Sequence, residues 1–90
     1  MNQGEFEADL RKNGYEVFYG GMGAGHANPA HAHDWDARVM VIGGEITLTR
    51  NGKPEVFRAG DSCAVPAGET HEEQVGPHGV AYIAGRRAAK

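Results

Sequence analysis

Two histidines one residue apart, His31 and His33, are the pair in this sequence best placed to do chemistry. In an extended chain the side chains alternate between faces, so both imidazoles project from one side. They stand about 6–7 Å apart along the backbone, close enough to lean onto one ion. Neutral imidazole suits divalent transition metals, and two on one face make half of a site. A third ligand must come from elsewhere, and the remaining histidines are His26, His71 and His78. His26 lies in a glycine-rich approach and His78 in the turn-like Gly76-Pro77-His78-Gly79. His71 stands at the start of a run with strand character.

The elements that must position these residues are mostly strands. Glu5 to Asn13 is an exception: it holds good helix formers, with Phe6 and Leu10 four apart and Gly14 as a stop, so residues 1–14 form a short helical segment. Tyr15 to Tyr19 is aromatic and β-branched and reads as a strand. Gly20 to Gly25 is too rich in glycine for regular structure and reads as a loop or distorted edge; its spacing and lack of a Lys-Ser/Thr pair exclude a phosphate loop. Strands then follow at Arg38–Ile42, Glu45–Thr49, Glu55–Arg58, Ser62–Val65, His71–Val75 and Gly79–Ala84, with turns at Gly43-Gly44, Asn51-Gly52, Gly60-Asp61 and Pro66-Ala67-Gly68. Asn51-Gly52 is the strongest hairpin signal, because a type I′ turn needs positive φ at both central residues. Residues 15–85 therefore read as a small all-β barrel or sandwich, residues 86–90 as a ragged tail, and residues 1–90 as a single domain.

Composition narrows the function classes. Ninety residues give one modest core. The net charge of −3 and the scattered Lys and Arg residues argue against nucleic acid. Apolar runs such as Val39–Ile42 are far too short to span a membrane as a helix, and Met1–Glu5 has no signal-peptide character. The one cysteine, Cys63, allows no internal disulfide and fits a reducing, cytoplasmic setting. Val39–Ile42 is apolar on both faces, so its outer face needs cover from the N-terminal helix or from a second subunit.

Gly25, five residues, then His31-Ala32-His33 resembles the first half of the cupin signature. Gly60, five residues, then Pro66-Ala67-Gly68, two residues, then His71 resembles the second half. The resemblance implies a double-stranded antiparallel β-barrel of jelly-roll type, with His31, His33 and His71 meeting in its mouth as ligands of a divalent transition metal. It also implies a homodimer. The motif glutamate expected after three or four intervening residues beyond the second histidine is absent, since those positions are Ala37 and Arg38. The asparagine often found four residues after the last histidine is Val75.

Three neutral imidazoles leave a divalent ion's charge uncompensated, so the open positions favour an anion: hydroxide, chloride, or a carboxylate or enolate of a small molecule. The ligand set suits Zn, Fe, Ni or Cu. Glu73 shares a face with His71 in a regular strand and is either a ligand, a group orienting one, or a solvated strand-end residue. Trp35 shares parity with the histidines and either walls the pocket or caps the core edge. Arg38, beside the vacant glutamate position, either holds an anion or serves a surface or interface. Cys63 is either a redox-sensitive neighbour of the metal or a small buried hydrophobe. Asp34, Asp36 and Glu69 read as surface residues. Two functions follow: a metal-dependent oxygenase, lyase or isomerase acting on a small anionic molecule, and a non-catalytic ligand-binding or sensor module.

Overall fold

In the computed structural model, which describes residues 1–89, a helix α1 (Gln3–Lys12) precedes six strands. These are β1 (Glu16–Met22), β2 (Ala27–His31), β3 (Trp35–Arg50), β4 (Lys53–Arg58), β5 (Ser62–Val65) and β6 (His71–Ala88). All ladders are antiparallel, and the long strands β3 and β6 run side by side through the whole structure. The first half of β3 pairs with β5 on one edge and with the second half of β6 on the other, and β1 lies outside β6. The second half of β3 pairs with β4 and with the first half of β6, and β2 lies outside β6. The result is two four-stranded layers, β1-β6-β3-β5 and β2-β6-β3-β4, sharing two bent strands. This is the jelly-roll arrangement expected, although among the described residues no ladder closes it into a hydrogen-bonded barrel.

The bends are the reason that β3 and β6 read as four strands in the sequence. Val41 and Ile46 are both buried inside although they are five apart, which a regular alternation forbids. Register shifts between Val41 and Gly43, and between Gly44 and Ile46, restore the parity. Gly43-Gly44 is thus a bulge in a continuous strand and not a turn. Gly44 has φ +70°, and a Cβ there would stand 1.9 Å from the Gly79 carbonyl oxygen, so only glycine fits. Gly76–Gly79, also expected as a turn, is an excursion within β6, where Val75 to Val80 faces only Gly44 to Ile46. The other glycine-rich stretch divides between its two readings: Gly20 and Gly21 lie in the edge strand β1, and Gly23 to Gly25 form the turn that follows it. The Asn51-Gly52 turn forms as expected, with φ values of 53° and 73°.

Two cores flank the first layer. Between the layers, Val41, Ile46, Leu48, Phe57, Val65, Val75 and Val80 form the inner one. On the outer side, Phe6 and Leu10 of α1 seal against Met40 and Ile83. The outer face of Val39–Ile42 is thereby covered within the same chain. A capping box starts α1: Asn2 Oδ1 accepts from Glu5 N–H, and Glu5 Oε1 accepts from Asn2 N–H.

Candidate metal centre

His31 closes β2 and is the register partner of His71, the first residue of β6, so the ladder itself brings these two rings together, 4.3 Å between centroids with the planes tilted by 56°. His33 lies past the end of β2, in the three-residue link to β3. Its approach to His31 (4.8 Å) and His71 (5.2 Å) therefore comes from the turn of the chain and not from alternation along one strand. One potential ligand atom from each of the three lies within 4.8 Å of the others. His71 is buried and the other two are partly exposed, which places the cluster at an opening.

Each ring is aimed by its surroundings. His31 Nδ1 is 2.7 Å from the Pro29 carbonyl oxygen and His71 Nδ1 is 3.1 Å from that of Glu69. A carbonyl only accepts, so both Nδ1 atoms are donors, and Nε2 of each keeps its lone pair for an ion. His33 stacks on Trp35 at 4.4 Å with the planes 17° apart. Burial, then the neighbouring His31 and His71 rings, hold the His33 imidazole below its ordinary range, which favours the neutral form that a metal requires. The turn before β6 is fixed to the first motif by Gly68 N–H on the His33 carbonyl and Ala67 N–H on the Asp36 carboxylate. Arg50 binds both the Ala64 carbonyl and the Glu69 carboxylate, steadying the residue whose carbonyl orients His71. Three clustered imidazoles, two of them with tautomers set by a backbone carbonyl, are a donor set that fits a divalent transition ion.

The cluster opens into a cavity of about 590 Å³ between the layers. Its wall is largely apolar, with Val39, Val41, Leu48, Phe57 and Tyr82 among the lining residues. Ala37 lines it too, so the inward position near the histidines carries a methyl group in place of a carboxylate. Arg38 does not reach the cavity. Ala37 and Val39 point inward, so alternation turns Arg38 outward, where it pairs with Asp9 at 2.8 Å and lies over Phe6 and Tyr15. Of its two readings, anion holder or surface and interface residue, the contacts fit the second: Arg38 clamps α1 to the layer.

A carboxylate reaches the centre from β6 instead. Glu73 Oε2 is 4.0 Å from His71 Nε2, and Oε1 accepts a 2.6 Å hydrogen bond from the Asn28 amide. The Asn28 oxygen in turn accepts from His26 Nε2 at 2.9 Å. Cys63 lines the cavity as a thiol pushed up to about 11 by burial, so it is not a reactive thiolate near neutral pH. Asn28, Arg50 and Arg86 are the site residues that sequence reasoning missed. Arg86, read as tail, lies in β6 with its guanidinium 4.5 Å from the Trp35 ring centroid, and it lines the cavity. Only the strand pairing of β6 with β3 puts it there.

The antiparallel jelly roll and the cluster of His31, His33 and His71 together define the class of fold. The family model described as "Cupin domain" matches residues 18–75, and the chain belongs to that family. Over 79 residues it is 30% identical to quercetin 2,3-dioxygenase of Bacillus subtilis, a match covering 87% of this chain and 22% of that protein's length. An RmlC-like cupin from Shewanella frigidimarina superposes with TM-score 0.72 at 26% identity, covering 84% of this chain and 68% of that one. The polyketide cyclase RemF from Streptomyces resistomycificus superposes with TM-score 0.70 at 21% identity over 80% and 54% of the two chains, a likeness of fold alone.

Proposed function

We propose that this cupin binds a divalent transition metal through His31, His33 and His71 and uses it on a small anionic molecule held in the adjoining cavity. One observation carries the reading: three clustered imidazoles, two held by backbone carbonyls and the third by its stack on Trp35, open onto a cavity of about 590 Å³. That size falls within the usual range for small-molecule sites. A resident ion would supply Lewis-acid polarisation, or oxygen chemistry if it is iron or copper. The chain supplies the rest. The imidazoles hold their lone pairs in place, Trp35 fixes the His33 ring, Glu73 offsets part of the positive charge, and the apolar wall excludes water. An oxygenase reaction is the first to assay, because the Bacillus relative is a quercetin dioxygenase; lyase and isomerase chemistry follow. The vacant carboxylate position at Ala37 also suits a non-catalytic binding module, and turnover separates the two.

Elemental analysis of tag-free protein, beside a His31→Ala/His71→Ala variant, tests the centre. The expected result is near-stoichiometric metal that is lost in the variant while the fold persists by circular dichroism. Equal metal in both proteins, or none in either after reconstitution, overturns the proposal.

A further inference from the structure

Among the described residues Arg86 is the one strong cation on the wall of the cavity, and it makes no contact with the three histidines. Its register partner on β3 is Ala37, the inward position from which the carboxylate is missing. Its guanidinium lies over Trp35 at 4.5 Å and over Phe18 at 5.2 Å, and all three residues line the cavity. Trp35 in turn stacks on His33, so a short path of stacked groups joins the guanidinium to the histidine cluster. Among the described residues Arg86 forms no ion pair, although every other arginine does. Its other register partner, Glu16 on β1, is exposed and forms no ion pair with it. The charge is therefore held by aromatic faces, with its donors left for something else.

Resting on the metal-site reading above, we infer that Arg86 is the specificity residue of the cavity and recognises the oxyanion of a small molecule with an apolar body. Such a molecule fits both parts of the site. A carboxylate, enolate or phenolate oxygen answers the guanidinium fork and the uncompensated charge of a three-imidazole centre. An aromatic or branched aliphatic body answers the apolar wall of Val39, Val41, Leu48 and Phe57. Loss of the carboxylate at position 37 belongs to the same device, because a glutamate there would neutralise Arg86 across the strand pair.

The probes are benzoate and its neutral counterpart benzamide, titrated into zinc-loaded and metal-free protein. Trp35 is the sole tryptophan, so its emission reports from within the site. Wild type, Arg86→Gln and Arg86→Lys are compared, with zinc content measured separately. In Arg86→Gln the benzoate Kd rises about tenfold, the scale of one charge-assisted hydrogen bond. Arg86→Lys recovers part of that loss, and benzamide binding stays within about twofold of the wild type. Equal benzoate affinity in wild type and Arg86→Gln, an equal loss for benzamide, or no saturable benzoate response in wild type overturns the inference. Failure of the metal reading looks different: no bound zinc, with Arg86-dependent benzoate binding intact in the metal-free protein.

Discussion

The two faces of the β1-β6-β3-β5 layer are made from alternate residues of the same strands, yet one is filled and the other is not. On the outer face Met40 and Ile83 meet Phe6 and Leu10 of α1, and all four are almost fully buried. On the inner face Val39, Val41 and Tyr82 border a cavity that ends at the histidine cluster. Both faces carry an arginine at the end where β3 begins. Arg38, on the filled face, is tied to Asp9 at 2.8 Å; Arg86, on the open face, has no carboxylate partner among the described residues. The contrast separates two tasks. Packing on the helix side stabilises the layer, and the unfilled side can be left free for a ligand.

If that division holds, the largest change in stability comes from the outer face. Leu10 is fully buried beneath the layer, and Leu10→Ala removes methyl groups where the helix has little freedom to collapse. The expected cost is about 2–5 kcal/mol in urea unfolding, a large part of the stability of a domain of this size. Metal affinity of the protein that remains folded should stay within about twofold. A parallel loss of metal would show that the two faces are coupled through β3 and β6, against the division.

The converse substitution is Asn28→Ala on the open face. Asn28 holds Glu73 by a 2.6 Å hydrogen bond, and the other oxygen of Glu73 lies 4.0 Å from His71 Nε2. Freed of that bond, Glu73 turns toward solvent, and metal affinity falls about tenfold, as for other groups that orient ligands from behind. Stability in the metal-free state should move by less than about 1 kcal/mol, since Asn28 is only part-buried. Competition titration with a chromogenic chelator, set beside urea unfolding, reads both quantities. Unchanged metal affinity would remove Glu73 from the centre.

How far all this was legible beforehand depends on the range of the signal. The histidines His31, His33 and His71 stand beside glycine and proline turns at fixed spacing, so local sequence marks them. Asn51-Gly52 was legible for the same reason, a backbone requirement carried by two adjacent residues. The continuity of β3 and β6 was hidden, because Gly43-Gly44 and Gly76–Gly79 carry the residues of turns while forming bulges inside long strands. Arg38 was left between two roles by its proximity to the vacant glutamate position. Parity with Val39 and Val41 would have turned it outward. Arg86 was lost in a segment, Arg86 to Lys90, with no apolar alternation, and its neighbours across the ladder are 49 residues away at Ala37 and 70 away at Glu16. Asn28 likewise depends on a contact with Glu73 that no local pattern announces.

The smallest effect bears on what kind of surface the open face is. Cys63 pairs with Val39 across β5 and β3, and burial pushes its thiol up to about 11 from an ordinary value near 9. A raised folded-state value means that the native protein keeps the proton when the unfolded chain has lost it. The associated stability is therefore complete below about pH 9 and is lost as pH climbs toward 11. Alkylation by iodoacetamide at pH 8 should run about tenfold slower in the native protein than in urea, with the smaller thiolate fraction partly offset by its greater nucleophilicity. Equal rates would mean that water reaches the β5 wall freely, and the cavity would then be a wet groove along its whole length. The slow rate would mean that this wall of the open face is as dry as the face beneath α1. The two faces would then differ in being filled or empty and not in polarity, which is the condition under which the apolar body of a ligand gains by entering.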